Sequence, residues 1–228
     1  FVFFFPHLRT DFRKRKIDYP GMITLVLTVV PMMLALAFAG VDYNWLSPTI
    51  IGMFAFSLVM LILFINIEIR SEEPIMPLSI FKEQIVSVSS VAIFFTGFAM
   101  FGAVIFVPLY FQGVLGSSAT ASGSFLTPMM LGVVAASIIS GQLLSRAGGH
   151  YRLQGAVGLA IVALGMFLLS RMTVETSYVR AIVNIILVGF GLGITMPLYI
   201  IAVQNAVPHA VLGIATSTTN FFRQIGGA

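Results

Sequence analysis

Long apolar stretches dominate the chain, and charged residues occur only between them. Asp, Glu, Lys and Arg are missing from residues 19–41, 43–67, 84–145, 153–170 and 181–222. A membrane-spanning helix needs roughly 20 mostly apolar residues, and turn-forming residues interrupt the two longest stretches near 113–123 and 204–209. The pattern therefore predicts six membrane helices, at residues 20–40, 49–67, 85–112, 124–145, 153–170 and 181–203.

Two further apolar segments lie at the ends of the chain, at residues 1–5 and 212–228. We expect both to be partial helices and the chain to be a piece of a longer protein. A membrane barrel would instead show segments of roughly ten residues with alternating polarity. The predicted fold class is therefore an all-α integral membrane bundle with about six full and two partial transmembrane helices.

Polar linkers predict three regions along the chain. Residues 1–18 would be the end of a helix followed by a basic linker, and residues 19–84 would be a helical hairpin with a second linker. Residues 85–228 would form one incomplete helix bundle. Pro74 and Pro77 prevent the second helix of the hairpin from continuing into that bundle, because an interior proline breaks a helix.

Composition excludes several classes of protein. Hydrophobic residues make up 58% and charged residues 9%, and the mean hydropathy is +1.03; a soluble domain carries about 25% charged residues. There is no Cys, which removes disulfides and thiolate metal sites, and all eight acids lie in loops or at span ends. We therefore expect neither an enzyme nor a cofactor or metal site.

The basic residues predict the orientation of the helices. Of twelve Lys and Arg residues, nine fall on loops of one side, whereas Arg171 and Arg180 fall on the other side and Arg223 lies within the last segment. Loops rich in Lys and Arg are normally cytoplasmic. The net charge of +4 therefore reflects the orientation of the helices in the membrane. It predicts the lipid bilayer as a partner and gives no reason to expect nucleic acid.

A short hairpin between two predicted spans is the first candidate site. Gly141 would let two helices approach closely, Gly148 belongs to a tight turn, and Arg146 and Arg152 would stay in the aqueous layer. These residues could form a cytoplasmic gate. They could equally be a glycine turn with basic anchors.

The last segment is polar for a membrane helix and is the second candidate. Arg223 lies about ten residues beyond its predicted start, which corresponds to a depth of roughly 15 Å. An unpaired arginine there is costly, so Asn220 and Arg223 could form a polar site inside the bundle. The alternative is that the helix starts earlier and Arg223 snorkels to the surface.

Small and aromatic residues mark two further features. Gly189 and Gly193 have the spacing of close helix packing, and the alternative is a bending point near Pro197. Phe98 and Phe101 belong to an aromatic cluster that could line a pocket for apolar ligands or simply face lipid.

These features together resemble the fourteen-helix drug:proton antiporter branch of the major facilitator superfamily. The resemblance covers essentially the whole chain. It rests on Lys16-Ile17-Asp18-Tyr19-Pro20-Gly21, on Pro74-Ile75-Met76-Pro77-Leu78 with Phe81, on Tyr110-Phe111-Gln112-Gly113 with Gly123 and Pro128, and on Gln204, Pro208, Gly213, Asn220, Arg223 and Gly226-Gly227. The hairpin is similar to the superfamily's gating motif at Gly141, Leu143, Arg146 and Gly148, although Ser145 stands where that motif has Asp.

The resemblance implies a multi-pass transporter of the cell membrane that exports hydrophobic or amphipathic compounds in exchange for protons. Residues 19–67 would then be the extra central hairpin, and Phe98, Phe101, Asn184 and Met196 would line the substrate cavity. A facilitator for one metabolite, lipid or siderophore stays open as an alternative. So does a membrane scaffold or sensor that transports nothing.

Overall fold

Helices account for all the regular secondary structure in the part of the chain that the structure describes. The computed structural model describes residues 18–114, 116, 118, 123–146 and 151–228. The helices are α1 (Tyr19–Phe38), α2 (Pro48–Arg70), α3 (Gln84–Gly113), α4 (Leu126–Arg146), α5 (Tyr151–Ser170), α6 (Tyr178–Ala206) and α7 (Leu212–Gly227). Two short 3-10 turns lie at Leu78–Lys82 and His209–Val211.

The first six helices are long and apolar enough to cross a membrane. They coincide with the six predicted spans to within a few residues at each end, so the span prediction is confirmed. The expected partial helix at 212–228 is present as α7, whereas the one at 1–5 lies outside the described residues. The all-helical fold class is likewise confirmed.

The chain forms two compact units that divide after Pro77. The first unit is the hairpin of α1 and α2, in which Ala35, Ala39 and Ile50 are buried against each other. Helix α2 ends at Arg70, ahead of Pro74 and Pro77, as expected. The three-region division proposed from the sequence stays a prediction.

The hairpin helices begin where polar side chains satisfy free backbone N–H groups. The Asp18 Oδ1 atom accepts a hydrogen bond of 2.9 Å from Gly21 N, and Ser47 Oγ accepts one of 3.3 Å from Ile50 N. A proline in the first turn of each helix needs no such partner. These caps explain why the predicted and observed starts agree.

Helix α6 is the centre of the second unit, because α4, α5 and α3 all pack on it. Helix α7 packs mainly against α3. The buried core of α6 includes Ile185, Val188, Leu192 and Leu198. The helix runs unbroken through Pro197.

Glycines let the backbones of these helices touch. A Cβ atom on Gly189 or Gly193 would overlap a carbonyl oxygen of α4, that of Met129 or Val133 respectively. Small residues that allow such close approach are a general device of membrane helix packing. The packing interpretation of the Gly189–Gly193 spacing is therefore confirmed.

Hydrogen bonds from polar side chains connect α4, α5 and α6. The Ser140 hydroxyl of α4 donates a hydrogen bond of 3.3 Å to the Ile194 carbonyl oxygen of α6. The Gln154 side-chain amide of α5 donates to Ser140 Oγ at 2.7 Å and to its carbonyl oxygen at 3.0 Å. These bonds satisfy groups that would otherwise be unpaired in an apolar interior.

We predict that Gly193→Ala destabilises the protein by about 1–3 kcal/mol, the usual cost of overpacking a core. The added methyl group must displace the α4 backbone at Val133. The matched control is Gly52→Ala, because nothing lies within 4 Å of a Cβ at that helical position. Thermal unfolding of the complete protein in detergent measures both, and equal midpoints for the two variants would contradict the packing role.

Candidate functional site

A small cavity lies where α3, α6 and α7 meet. Its walls combine apolar with polar side chains. They are Ile93, Thr96, Met196, Ile200, Thr219, Asn220 and Arg223. Three of the expected site residues, Met196, Asn220 and Arg223, are thus brought together.

The one charged residue among those that line the cavity is Arg223. Its Nη2 atom donates a hydrogen bond of 2.7 Å to Asn220 Oδ1, and both side chains are partly buried. None of the sequences of α3 to α7 contains an acidic residue. Within these five helices the guanidinium therefore has a hydrogen-bond acceptor but no counter-charge.

Three polar side chains of α7 lie on the face of the helix that lines the cavity. Thr219 and Arg223 are four residues apart, and Asn220 lies three residues before Arg223, so all three share one face of the helix. Side chains at Met196 and Ile200 of α6 have the same spacing and form the opposing wall. Helical periodicity alone thus assembles each wall.

Close contact between α3 and α7 fixes the position of this polar face. A Cβ atom on Gly97 would overlap the carbonyl oxygen of Arg223, and one on Gly226 would overlap that of Phe94. The two backbones therefore meet directly at Arg223 itself and again one turn further along α7. Gln204 of α6 adds a hydrogen bond of 3.1 Å from Nε2 to Thr216 Oγ1.

The two aromatic residues proposed as lining lie elsewhere on α3. Phe98 is 63% exposed, because it is two residues from Thr96 and so faces nearly away from the cavity. Phe101 is partly buried and lies next to Gly227. Neither borders this cavity, and their role in the complete protein stays a prediction.

Asn184 is a buried polar residue of a different region. It precedes Met196 by twelve residues of α6, which corresponds to roughly 18 Å along the helix. Its side-chain amide donates a hydrogen bond of 3.4 Å to the Leu168 carbonyl oxygen of α5. This contact bridges two helices, and the proposed cavity role of Asn184 stays a prediction.

The proposed gate is described only in part. The expectation that Gly141 lets two helices approach closely is wrong for the described residues, because Gly141 is exposed on α4 and a Cβ atom there would meet nothing within 4 Å. Arg152 is exposed near the start of α5. Arg146 ends α4, but its side chain and all of Gly148 lie outside the described residues. The gate therefore stays a prediction.

Sequence reasoning missed four residues of the cavity wall, which are Ile93, Thr96, Ile200 and Thr219. Thr219 and Ile200 could have been found from their four-residue spacing to Arg223 and Met196. No such signal existed for Ile93 and Thr96, because α3 is apolar on every side and Thr96 satisfies its hydroxyl on the Ala92 carbonyl of its own helix.

Comparison with known proteins places this architecture in a family. The sequence profile described as Major Facilitator Superfamily matches residues 21–228. The chain is 39% identical to the multidrug transporter protein MdtP of Bacillus subtilis over 92% of its own length and 38% of that protein. It is 37% identical to multidrug resistance protein 3 of Bacillus subtilis over 95% of its length and 42% of that protein.

A third relative is the tetracycline resistance determinant of Streptomyces rimosus. The identity is 33%, and the match covers 92% of this chain and 60% of that protein. The chain thus spans about two fifths of the length of the two Bacillus proteins, and somewhat more of the third.

We predict that Asn220→Ala lowers the free energy of unfolding by roughly 1–2 kcal/mol, because Arg223 loses its acceptor in an apolar setting. The matched control is Asn205→Ala, which removes an exposed hydrogen bond from the amide to the Tyr151 hydroxyl. The control should change stability by no more than about 0.5 kcal/mol. Thermal unfolding in detergent compares them, and a smaller effect at Asn220 would count against the pairing.

Proposed function

Since the chain belongs to the major facilitator superfamily and is part of a multi-pass integral membrane protein, we propose that the complete protein exports hydrophobic or amphipathic compounds in exchange for protons. Three relatives whose names specify multidrug transport, multidrug resistance or tetracycline resistance support this choice of substrates. The proposal describes the complete protein, of which the chain supplies one helix bundle and the hairpin.

The cavity of α3, α6 and α7 is the observation that carries the proposal. A scaffold protein has no need of a partly buried arginine that lacks a counter-charge within α3 to α7, and intramembrane charges generally mark a transport path. The walls of Ile93, Met196 and Ile200 suit the apolar part of a ligand. Flexible Met196 would adapt to ligands of different shape.

Transport would follow from rocking of this bundle against the rest of the protein. Secondary transporters commonly hold their substrate near the bilayer midplane and expose it alternately to each side. The hairpin at Gly141, Arg146, Gly148 and Arg152 would then act as the cytoplasmic gate. The absence of acidic residues from α3 to α7 means that these helices supply no carboxylate for proton coupling.

A facilitator for one metabolite, lipid or siderophore is the second candidate. It uses the same fold and the same alternating movement, so the cavity supports it as well. The facilitator and the drug exporter differ in the range of their substrates and in whether export needs a proton gradient.

We predict proton-driven dye export by the complete protein in bacteria that lack their own efflux pumps. Cells preloaded with a fluorescent cationic dye should lose it, and a protonophore should abolish the loss. We also predict that Arg223→Gln slows export about tenfold or more, because the charged hydrogen bond from Arg223 to Asn220 is lost and such a bond contributes ~1.5–3 kcal/mol. The control is Arg180→Gln, an exposed arginine at the start of α6.

Three results would contradict this proposal. Export that persists with the protonophore would rule out proton coupling. A correctly inserted wild-type protein without dye loss would argue against broad drug export and favour the facilitator. Equal dye-export rates for Arg223→Gln and Arg180→Gln would show that the cavity does not take part in transport.

We predict separately that Arg146→Ala slows export without loss of membrane insertion, because the gate would lose one of its two positive charges. Arg171→Ala is the matched control on the opposite set of loops. Dye loss and immunoblotting of the membrane fraction measure rate and insertion. A wild-type rate in Arg146→Ala would remove this hairpin from the gate.

A further inference from the structure

The segment immediately before α3 inserts a side chain between the helices of the second unit. Residues Leu78–Lys82 form a 3-10 turn, in which Ile80 is 7% exposed. Ile80 belongs to a buried cluster to which α3, α6 and α7 each contribute one residue, namely Val86, Val203 and Ala215. A segment that is not part of any of these helices thus fills the space where they converge.

This cluster is the layer of side chains next to the cavity of α3, α6 and α7. Ile200 in the cavity wall is three residues from Val203 on α6, and Thr219 is four residues from Ala215 on α7. Each spacing is about one helical turn, or roughly 5 Å along the axis. The turn lies on the side of the helices that the distribution of Lys and Arg predicts to be cytoplasmic.

Phe81 extends the same contact along α7. Its ring meets the ring of Phe222 edge to face, with the centroids 5.8 Å apart and the planes at 74°, which is a favourable arrangement for two aromatic rings. Phe222 directly precedes Arg223 of the cavity wall. Both apolar side chains in the middle of the turn therefore pack beside the helices that form the cavity.

Two hydrogen bonds connect the turn with the start of α3. The Ser87 hydroxyl donates to the Phe81 carbonyl oxygen, and Glu83 N donates to the Ile80 carbonyl oxygen at 3.2 Å. The Glu83 side chain makes no cap hydrogen bond to α3. A short 3-10 turn held mainly by side-chain contacts opens at a lower free energy than a helix does. The turn can therefore move without unwinding α3.

We propose that Ile80 and Phe81 form a plug, which closes the cytoplasmic end of the cavity and withdraws when the cavity opens to the cytoplasm. The inference rests on the proposed function, because a plug requires a cavity that opens during transport. It assigns a part of transport to the linker before α3, whereas the proposed gate lies between α4 and α5. The competing interpretation is a permanent anchor, which would bury the same side chains and never move.

Thiol labelling tests whether the plug closes the cavity. The chain contains no Cys, so Thr219→Cys in a complete protein freed of any cysteine elsewhere places a single thiol in the cavity wall. A membrane-impermeant maleimide is applied to inside-out vesicles. Ile80→Ala should raise the labelling rate about tenfold or more, because the loss of buried carbon atoms makes withdrawal of the plug easier. The matched control is Ile85→Ala, at a 49% exposed position of α3.

A second thiol distinguishes withdrawal of the plug from general loosening of the bundle. Thr195 is fully buried on α6, where it faces Gly158 of α5, so Thr195→Cys should stay unlabelled in the Ile80→Ala protein. Faster labelling of both thiols would overturn the proposal. So would equal labelling of Thr219→Cys in the Ile80→Ala and Ile85→Ala proteins. Ile80→Val should give a smaller increase, and it replaces Ile80→Ala if that variant fails to insert.

Cross-linking tests whether the plug must move. Phe81→Cys and Phe222→Cys are joined by a short bifunctional thiol reagent with a reducible bond, since the two rings are in contact. The linked protein should stop exporting dye, and a reducing agent should restore export. Export that continues at the same rate in the linked protein would favour the permanent anchor and overturn the plug. Absence of export before linking would contradict the proposed function instead, and the labelling rates would still decide whether the plug closes the cavity.

Discussion

The second unit depends on direct backbone contact along α6. Lipid chains are as apolar as Leu or Val, so helices in a bilayer gain little from burying apolar side chains against each other. They associate through close packing and hydrogen bonds instead. Gly189 and Gly193 bring the α6 backbone against α4, and Gly191 lies against Val162 of α5. These contacts explain why the most enclosed helix is rich in glycine.

Close packing also decides where polar groups can be placed. Ser137 and Ser140 of α4 donate to the carbonyl oxygens of Gly193 and Ile194, at 3.0 and 3.3 Å. The contact of α3 with α7 likewise fixes the backbone of Arg223 and leaves its side chain beside Asn220 at the cavity. One set of small residues thus supports both the fold and the candidate site.

In the hairpin, two acidic side chains accept hydrogen bonds at the ends of the helices. Asp18 begins one helix, and Glu68 holds the linker that leaves the other helix. Both acids stand close to charged or polar loop residues in the sequence, so they read as ordinary span ends. Both acids therefore use one carboxylate oxygen to satisfy backbone N–H groups where a helix begins or ends.

The sequence by itself determined the number and limits of the spans, since only uninterrupted apolar stretches can cross a bilayer. It also determined the break after α2 at Pro74 and the close packing of Gly189 and Gly193. The tertiary structure alone decided which side of each helix is enclosed. Phe98 and Thr96 lie close together in the sequence, yet one is exposed and the other is buried.

The physical reason is that lipid and protein interior are both apolar. A helix such as α3 therefore carries no alternation of polar and apolar residues that would mark its enclosed face. The hydrogen bond between Glu68 and the linker was hidden for another reason. Glu68 stands among the charged residues at the end of α2, so the sequence alone gives no sign that its side chain is enclosed and accepts from the Met76 backbone.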